Sequence, residues 1–314
     1  MSHVSLSALA RKLSPFCAAL VTAGAFAGCL MDLDDQAVTD DTELGTASEN
    51  LGASFFQRTW TQGEAEHANI VPLNDYFCAL TGVAGKFEGA GEEVYINGDF
   101  TGSIPMWAMH GKSQQTGVSG TATCYTRGSF TGAGSQQTIV SPEFVHQDKS
   151  PGCHWYGCPV HSPSPTSITA WQGDSVTMIT GMCGDFNGTE EDIEVKQAST
   201  GAASTLLEAQ NDIEWNEISR IHAHSFFIGV PGAGRLARTT GIYAAGGVNG
   251  ADRREMLPVD QGMCYLTRIS GDFQGAHTAV TIERNNNNRW ELVVKGSSGD
   301  KVYGQARCMY LNQN

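Results

Sequence analysis

One phrase recurs three times in this chain, and the repetition constrains the fold more than any other feature of the sequence. The phrase has the pattern aliphatic-Thr-x3-Gly-x-Phe-x-Gly-x4-aliphatic-x-aliphatic, and seven positions match without a gap in every copy. Such a period indicates internal duplication of a structural unit, so the sequence predicts three related modules. The matched residues are Leu80, Thr81, Gly85, Phe87, Gly89, Val94 and Ile96, then Ile179, Thr180, Gly184, Phe186, Gly188, Ile193 and Val195, and finally Leu266, Thr267, Gly271, Phe273, Gly275, Val280 and Ile282.

The residues in and after each copy of the phrase predict a series of short strands. In the first copy we place them at 77–87, 92–98, 105–111 and 117–126, because apolar residues alternate with polar ones and glycine-rich turns separate the runs. The 37 glycines in the whole chain also favour strands and turns over long helices. We therefore expect an all-β protein of three degenerate repeats with about four antiparallel strands each. The repeats can form a β-prism-like body, a trefoil-like body or tandem small β modules.

The N-terminus predicts export. Arg11 and Lys12 precede an apolar run at 15–28 that is too short to span a bilayer and ends in small residues. We interpret residues 1–28 as a signal peptide. The ending "FAGC" resembles the bacterial lipobox, and this resemblance implies that Cys29 carries a lipid anchor. The alternative is an ordinary signal peptide, cleaved near Ala27 or Gly28.

An acidic segment follows the signal. Residues 29–55 contain seven acidic side chains and no basic one, so they cannot form a core, and we predict a disordered tether. Three β modules follow, at 56–150, 151–235 and 236–314. The net charge of −14 and the lack of a basic stripe argue against a nucleic-acid partner, whereas cationic ligands, metal ions and neutral glycans remain compatible with such a surface.

The cysteines predict disulfides, which are the default in an exported protein. The two outer copies each have one cysteine at the start of the phrase and one at the end of the last strand. The middle copy has Thr177 and Ser225 at these two positions, so it lost both cysteines together. The predicted bridges are Cys78–Cys124 and Cys264–Cys308 in the outer copies, and Cys153–Cys158 in a short loop of the middle module.

The loop "CHWYGCPVH" carries the most concentrated chemistry of the chain. Its two thiols and two imidazoles could bind zinc, but a Cys-x4-Cys loop in an exported protein favours a disulfide that presents Trp155 and Tyr156 at its tip. The acidic turn at 185–192 could bind calcium, although the repeat itself explains the turn. We predict no metal and no cofactor.

Cys183 has no partner in this pairing scheme. It aligns with Ala84 of the first repeat, which favours a small buried position. The alternative is a nucleophile beside His222 or His224, two residues that could also form a metal pair without a third ligand. We predict no catalytic residue.

Aromatic residues are the candidate ligand contacts. Trp107 and Trp290 recur in register, and Trp215 is assigned to the same place in the middle copy. Recurrence favours a packing role for Trp107 and Trp290. The alternative is that Trp107, Trp155, Tyr156 and Trp290 stack on a carbohydrate.

The signal, the "FAGC" ending, the acidic tether and the Cys-x-Leu-Thr…Gly-x-Phe-x-Gly…Gly-x-Ala-x-Cys modules together resemble uncharacterised bacterial surface lipoproteins. The resemblance implies export and lipid anchoring to the bacterial outer membrane, on its periplasmic or cell-surface side. Contact with the membrane would then be through the N-terminal lipid only.

We expect a binding lipoprotein, carbohydrate-binding or adhesive through aromatic loop residues, because repeated weak sites suit a repetitive polymer. The runner-up is a structural or assembly protein that contacts other envelope proteins. A secreted hydrolase is third.

Overall fold

A computed structural model describes residues 55–127, 138–140, 143–149, 166–168, 175–189, 191–197, 205–210, 218–228 and 239–310. These residues belong to one compact unit, and their regular structure consists of strands without a helix. The all-β prediction is confirmed. The predicted signal peptide, Cys29, the tether before Phe55, and the Cys153–Cys158 loop with Trp155 and Tyr156 lie outside the described residues.

The strands are β1 (Phe55–Thr61), β2 (His67–Pro72), β3 (Tyr76–Ala84), β4 (Glu88–Asp99), β5 (Met106–Lys112), β6 (Ser119–Thr126), β7 (Thr138–Val140), β8 (Phe144–Lys149), β9 (Thr166–Ile168), β10 (Ser175–Asp185), β11 (Asp192–Gln197), β12 (Thr205–Gln210), β13 (Ile218–Ile228), β14 (Tyr243–Pro258), β15 (Gly262–Gly271), β16 (Ala279–Arg284) and β17 (Arg289–Tyr310).

Every sheet combines strands from two repeats. The strand that opens each phrase pairs with the last strand of its own repeat: β3 with β6, β10 with β13, and β15 with the second half of β17. Its other edge pairs with the second strand of a different repeat: β3 with β16, β10 with β4, and β15 with β11. This cyclic exchange produces three antiparallel sheets in one closed body. Of the arrangements left open by the sequence, it fits the β-prism-like one.

Two of the sheets are joined by the long strands β14 and β17. The first half of β17 pairs with β16 and the second half with β15, while β14 follows β17 along both halves. At the junction a Cβ on Gly247 would lie 2.7 Å from the backbone nitrogen of Gly296, and a Cβ on Gly296 would lie 2.7 Å from the Gly247 oxygen. Only glycine allows the two strands to approach so closely at both positions.

The phenylalanines of the repeated phrase meet at the centre of the fold. The ring centroids of Phe87, Phe186 and Phe273 lie 5.9 to 6.4 Å apart, and all three side chains are fully buried. Their backbones form a closed ring of hydrogen bonds: Phe186 N–H donates to Phe87, Phe87 N–H to Phe273, and Phe273 N–H to Phe186. The repeated phrase therefore marks an approximate threefold axis. The glycines two residues before each ring have φ angles of 98°, 117° and 105°, in a region that favours glycine, and they are Gly85, Gly184 and Gly271.

The two predicted disulfides of the outer repeats are confirmed: Cys78–Cys124 joins β3 to β6, and Cys264–Cys308 joins β15 to β17. In the middle repeat Thr177 on β10 lies directly opposite Ser225 on β13. Each bridge connects neighbouring strands of one sheet, so it fixes the register between the first strand of the phrase and the last strand of the same repeat.

The repeats contain more strand than the sequence predicts. A further segment precedes each phrase and pairs with the last and third strands of its repeat: β1 and β2 in the first repeat, β14 in the third. In the middle repeat β7 and β8 pair with β13, and β9 pairs with β12. β7 and β8, which lie within the range 56–150 that we assigned to module 1, therefore pair with the last strand of the second repeat. No matched residue of the phrase extends into this segment, so the repeat pattern did not reveal it.

Candidate functional site

Trp107 and Trp290 are part of the core. Their exposed fractions are 0% and 1%, and their indole N–H groups donate to the backbone oxygens of Tyr76 and Gly262 at 2.9 and 2.8 Å. The two acceptors occupy the same position, two residues before the first cysteine of each phrase. Neither ring has a face available to a sugar, so the ligand-binding hypothesis is wrong for these two residues. The packing interpretation describes them correctly.

The middle repeat has no tryptophan at this position. Trp107 pairs with Gly98 and Trp290 with Arg284, and the matching pair in the middle repeat is Thr205 with Gln197. The assignment of Trp215 to this position is therefore wrong. Trp215 itself lies outside the described residues.

The surfaces of the three sheets differ at equivalent positions. In β4, Val94 and Ile96 are fully buried, whereas the intervening Tyr95 and the following Asn97 are partly exposed on the opposite face. We compare the residues that are cross-strand neighbours of Tyr95 with those at the equivalent positions of the other two sheets. Such a set of neighbours forms one row across each sheet. The rows are Thr121, Gly82, Thr281 and Val293 in the first sheet, His222, Gly181, Tyr95 and His110 in the second, and Gln305, Arg268, Glu194 and Glu208 in the third.

Only the row of the second sheet is aromatic. The ring of Tyr95 stacks on His110 at a centroid distance of 4.5 Å and on His222 at 4.7 Å, with interplanar angles of 5° and 9°. Gly181 makes this stack possible, because a Cβ there would lie 2.2 Å from the Cβ of Tyr95 and 3.0 Å from that of His222. Burial, followed by the charge of Glu93, raises the pKa of Tyr95 to about 12. The phenol therefore stays a hydrogen-bond donor at neutral pH.

Polar side chains surround the exposed end of the stack. His67 on β2 lies opposite His110, and its Nε2 is 3.2 Å from Asp99 Oδ2, while His110 Nε2 is 2.8 Å from Asn97 Oδ1. Hydrogen bonds from the backbone and hydroxyl of Thr101 lower the pKa of Asp99, so this carboxylate is ionised near neutrality. Burial, and then the charge of His67, lower the pKa of His110. We call His67, Tyr95, Asn97, Asp99 and His110 the histidine face.

Cys183, His222 and Glu143 form a second cluster at the other end of the stack. The Sγ of Cys183 is 3.4 Å from His222 Nε2, and His222 Nδ1 is 2.7 Å from Glu143 Oε1. Burial opposes ionisation of Glu143, but the hydrogen bond with His222 and the nearby imidazoles outweigh it, so the pKa of the carboxyl is lowered. The order thiol, imidazole, carboxylate is that of a cysteine nucleophile with its base.

The environment of Cys183 does not support that role. Its exposed fraction is 3%, and burial, followed by the charge of Glu93, raises the pKa of the thiol well above its ordinary value. A nucleophile needs the thiolate and access for a substrate. Cys183 is thus beside a histidine, as the catalytic alternative requires, but it has the buried position that its alignment with Ala84 predicts.

The acidic turn after β10 has a structural explanation. Glu191 is fully buried and its Oε2 accepts a hydrogen bond from the Gly188 N–H at 2.6 Å. Within the described ranges, no group of three or more His, Cys, Asp or Glu side chains has a geometry that could hold a metal ion. His222 and His224 both lie on β13, but they contact different aromatic rings. His222 stacks on Tyr95, and His224 packs edge-on against Trp107.

Sequence reasoning missed the histidine face entirely. Tyr95 and Asn97 alternate with matched apolar positions of the phrase, and each looks like an ordinary solvent-facing strand residue. The available signal was the disagreement among the repeats, because Tyr95 aligns with Glu194 and Thr281.

No model of a known protein family matches this chain, and no curated protein sequence is significantly similar to it. Among the described residues there is no helix long and apolar enough to cross a membrane.

Proposed function

We propose that this protein is an exported, lipid-anchored binding protein that holds a neutral carbohydrate on the histidine face. The observation that carries the proposal is the difference among the three sheets. At the equivalent row, the first sheet has two threonines, a glycine and a valine, and the third has three charged side chains and a glutamine. The second sheet has Tyr95 stacked between the partly exposed His110 and the buried His222, and an amide and a carboxylate border this stack.

The chemistry of the histidine face suits hydroxyl groups. Asp99 and the oxygen of Asn97 accept hydrogen bonds, the Tyr95 phenol donates, and an imidazole can do either. Both flat faces of Tyr95 are covered by His110 and His222, so the stack offers its polar edges to a ligand rather than a platform for stacking. A net charge of −14 disfavours anionic ligands, and neutral polyhydroxylated ligands fit best.

Trp155 and Tyr156 stay in the proposal as a separate aromatic contact. Their loop belongs to the segment between β8 and β9, which lies outside the described residues. A second contact of this kind would increase the avidity for a repetitive polymer.

Lipid anchoring through Cys29 is proposed from the N-terminal sequence. The experiment is expression in a Gram-negative host, followed by mass spectrometry of the N-terminal peptide and fractionation of the cells. We expect a diacylated Cys29 in the outer membrane fraction, and loss of the protein from that fraction in Cys29→Ser. An unmodified N-terminus at Ala27, Gly28 or Cys29 would contradict the anchor.

A glycan array tests the ligand class. The purified full chain, in detergent, is applied to immobilised neutral and acidic glycans, and hits are confirmed by titration in solution. We expect binding to neutral glycans and none to sulfated or phosphorylated ones. If no glycan binds, the carbohydrate proposal is wrong, and capture experiments with envelope proteins would test the assembly alternative.

A further inference from the structure

The loop between β4 and β5 carries two exposed apolar side chains. Phe100 is 70% exposed and Ile104 is 59% exposed, and they are two of the five large apolar side chains exposed in the described part of the chain. The loop sequence FTGSIP, residues 100–105, includes no charged side chain. Single exposed apolar residues are ordinary on a protein surface, whereas two on one short loop indicate a contact with another apolar surface.

Hydrogen bonds hold both ends of this loop in place. At its start, the N–H and the hydroxyl of Thr101 donate to Asp99 Oδ1 at 2.8 and 2.7 Å. At its end, the Leu73 N–H donates to the Pro105 oxygen at 2.9 Å. The other carboxylate oxygen of Asp99 is 3.2 Å from His67 Nε2, so both oxygens of the nearest charged group have partners within the protein.

A third apolar side chain lies beside the loop. A Cβ on Gly98 would lie 2.7 Å from Leu73 Cδ1 and 2.8 Å from Phe100 Cε2, so the side chains of Leu73 and Phe100 lie together over Gly98. Leu73 is partly buried against the core. We call Leu73, Phe100 and Ile104 the apolar tip.

The fold does not require apolar residues in this loop. In the third repeat the same connection, between β16 and β17, consists of four asparagines at 285–288 between Arg284 and Arg289. A polar turn therefore connects the equivalent strands equally well. The apolar character of Phe100 and Ile104 needs an explanation other than folding.

The apolar tip lies at the end of the fold where the chain enters. Phe55, the first described residue, pairs with Tyr125 on β6, and the next residue of β6, Thr126, pairs with Tyr76. The Tyr76 oxygen accepts the hydrogen bond of Trp107, which follows the loop on β5. The phenylalanines of the threefold axis lie at the opposite end of β4.

We propose that the apolar tip contacts the lipid bilayer to which the chain is anchored. The proposal rests on the lipid anchor at Cys29 that is proposed above. Residues 30–54 join Cys29 to Phe55, and a flexible chain of this length spans on the order of 30 Å. The predicted tether thus keeps the end of the fold that carries the tip near the membrane surface. The tip adds a second membrane contact to that of the N-terminal lipid.

The chemistry of the tip suits the boundary between lipid headgroups and acyl chains. Apolar side chains that bind there are buried about 5–10 Å deep. Full burial of a side chain such as Phe100 or Ile104 strengthens binding by roughly a factor of ten or more. The net charge of −14 disfavours an anionic surface, so a zwitterionic bilayer is the appropriate probe.

Tryptophan fluorescence in vesicles with brominated acyl chains tests the contact. The full chain, purified in detergent, is reconstituted into phosphatidylcholine vesicles, and the emission of the unaltered protein is subtracted from that of each tryptophan variant. We expect the emission added by Phe100→Trp, and by Ile104→Trp, to shift to shorter wavelength. It should fall by at least about half when the acyl chains carry bromine close to the headgroups.

Val248→Trp is the matched control. Val248 is 58% exposed and pairs with Lys301, whose oxygen accepts a hydrogen bond from the N–H of Asp272, the residue before Phe273 of the threefold axis. This position is therefore at the end of the fold opposite to the tip. The emission added by Val248→Trp should be the same in brominated and ordinary vesicles.

The proposal is overturned if bromine quenches Phe100→Trp no more than Val248→Trp. A shift of the Phe100→Trp emission without quenching by bromine would also overturn it, because another protein surface would then cover the tip. Mass spectrometry of Cys29 in the same vesicles distinguishes this proposal from that of the anchor. Quenching with an unmodified Cys29 would support the tip and contradict the anchor, and a diacylated Cys29 without quenching would do the reverse.

Discussion

Thr177 Oγ1 and Ser225 Oγ lie 2.8 Å apart, on the strand pair where the first and third repeats each have a disulfide. Both residues are buried and directly opposite each other. A hydrogen bond therefore occupies the position of the covalent link, and the middle repeat keeps the same geometry without the bridge.

The double substitution Thr177→Cys with Ser225→Cys should form a third disulfide. Closing a loop of this length adds up to about 4 kcal/mol in the chain-entropy estimate, and engineered bridges often deliver less than this. Mass spectrometry without reductant and urea unfolding measure the outcome. Thr177→Cys alone is the control and should be slightly destabilised, and a double variant that stays reduced would contradict the alignment of the repeats.

Gly181→Ala should destabilise the protein by about 1 to 3 kcal/mol, because the added methyl overlaps the Cβ atoms of Tyr95 and His222. The matched control is Gly91→Ala, where a Cβ meets nothing within 4 Å. Urea unfolding compares the two variants. Equal stability of both would mean that the stacked row does not depend on the glycine between its rings.

Trp107→Phe should lower the free energy of unfolding by about 2 to 3 kcal/mol, since it empties part of the core and leaves the Tyr76 oxygen without its indole donor. The exposed Phe100 provides the control: Phe100→Leu should change stability by less than about 0.5 kcal/mol. A Trp107→Phe variant with full stability but impaired ligand binding would restore the original hypothesis for this residue.

Stability should depend on pH through Asp272. Burial, and then the charges of Asp300 and Glu88, raise the pKa of this carboxyl to about 6. A raised carboxyl pKa means that the folded state favours the protonated form of Asp272. The resulting contribution of Asp272 to the free energy of unfolding is present below about pH 4 and is lost as the pH rises through 6. Asp272→Asn should therefore stabilise the protein at pH 7 relative to pH 4.

The expected difference is about 1 kcal/mol or less, because Asp272 is only partly buried and its interactions are screened by solvent. Urea unfolding at pH 4 and pH 7 measures it. The exposed Asp260 gives the control, and Asp260→Asn should show no such change. An Asp272→Asn effect of the same size at both pH values would show that charge is not the cause.

The strands of the first repeat were predictable because local pattern encodes them. The predicted ends at 77–87, 92–98, 105–111 and 117–126 differ from those of β3, β4, β5 and β6 by at most four residues. The exchange of strands among repeats was not predictable in this way. The alternation in β4 is the same whether this strand pairs with β3 or, as it does, with β10.

The candidate site depended on the same missing information. Tyr95 and His222 are 127 residues apart in the sequence, and only the pairing of both strands with β10 brings their rings together. The disulfide pairing, in contrast, was predictable from the sequence. Each bridge links two strands of one repeat, and the middle repeat has Thr177 and Ser225 in place of both cysteines.

The central claim is that ligand binding occurs on the histidine face of the second sheet. The most direct measurement compares the affinity of Asn97→Ala with that of Lys196→Ala, the matching position in the next repeat, for the glycan bound best on the array. We expect Asn97→Ala to weaken binding about tenfold, the loss of a hydrogen bond of roughly 1.4 kcal/mol, and Lys196→Ala to leave it unchanged. Equal affinities for both variants and the unaltered protein would contradict the claim.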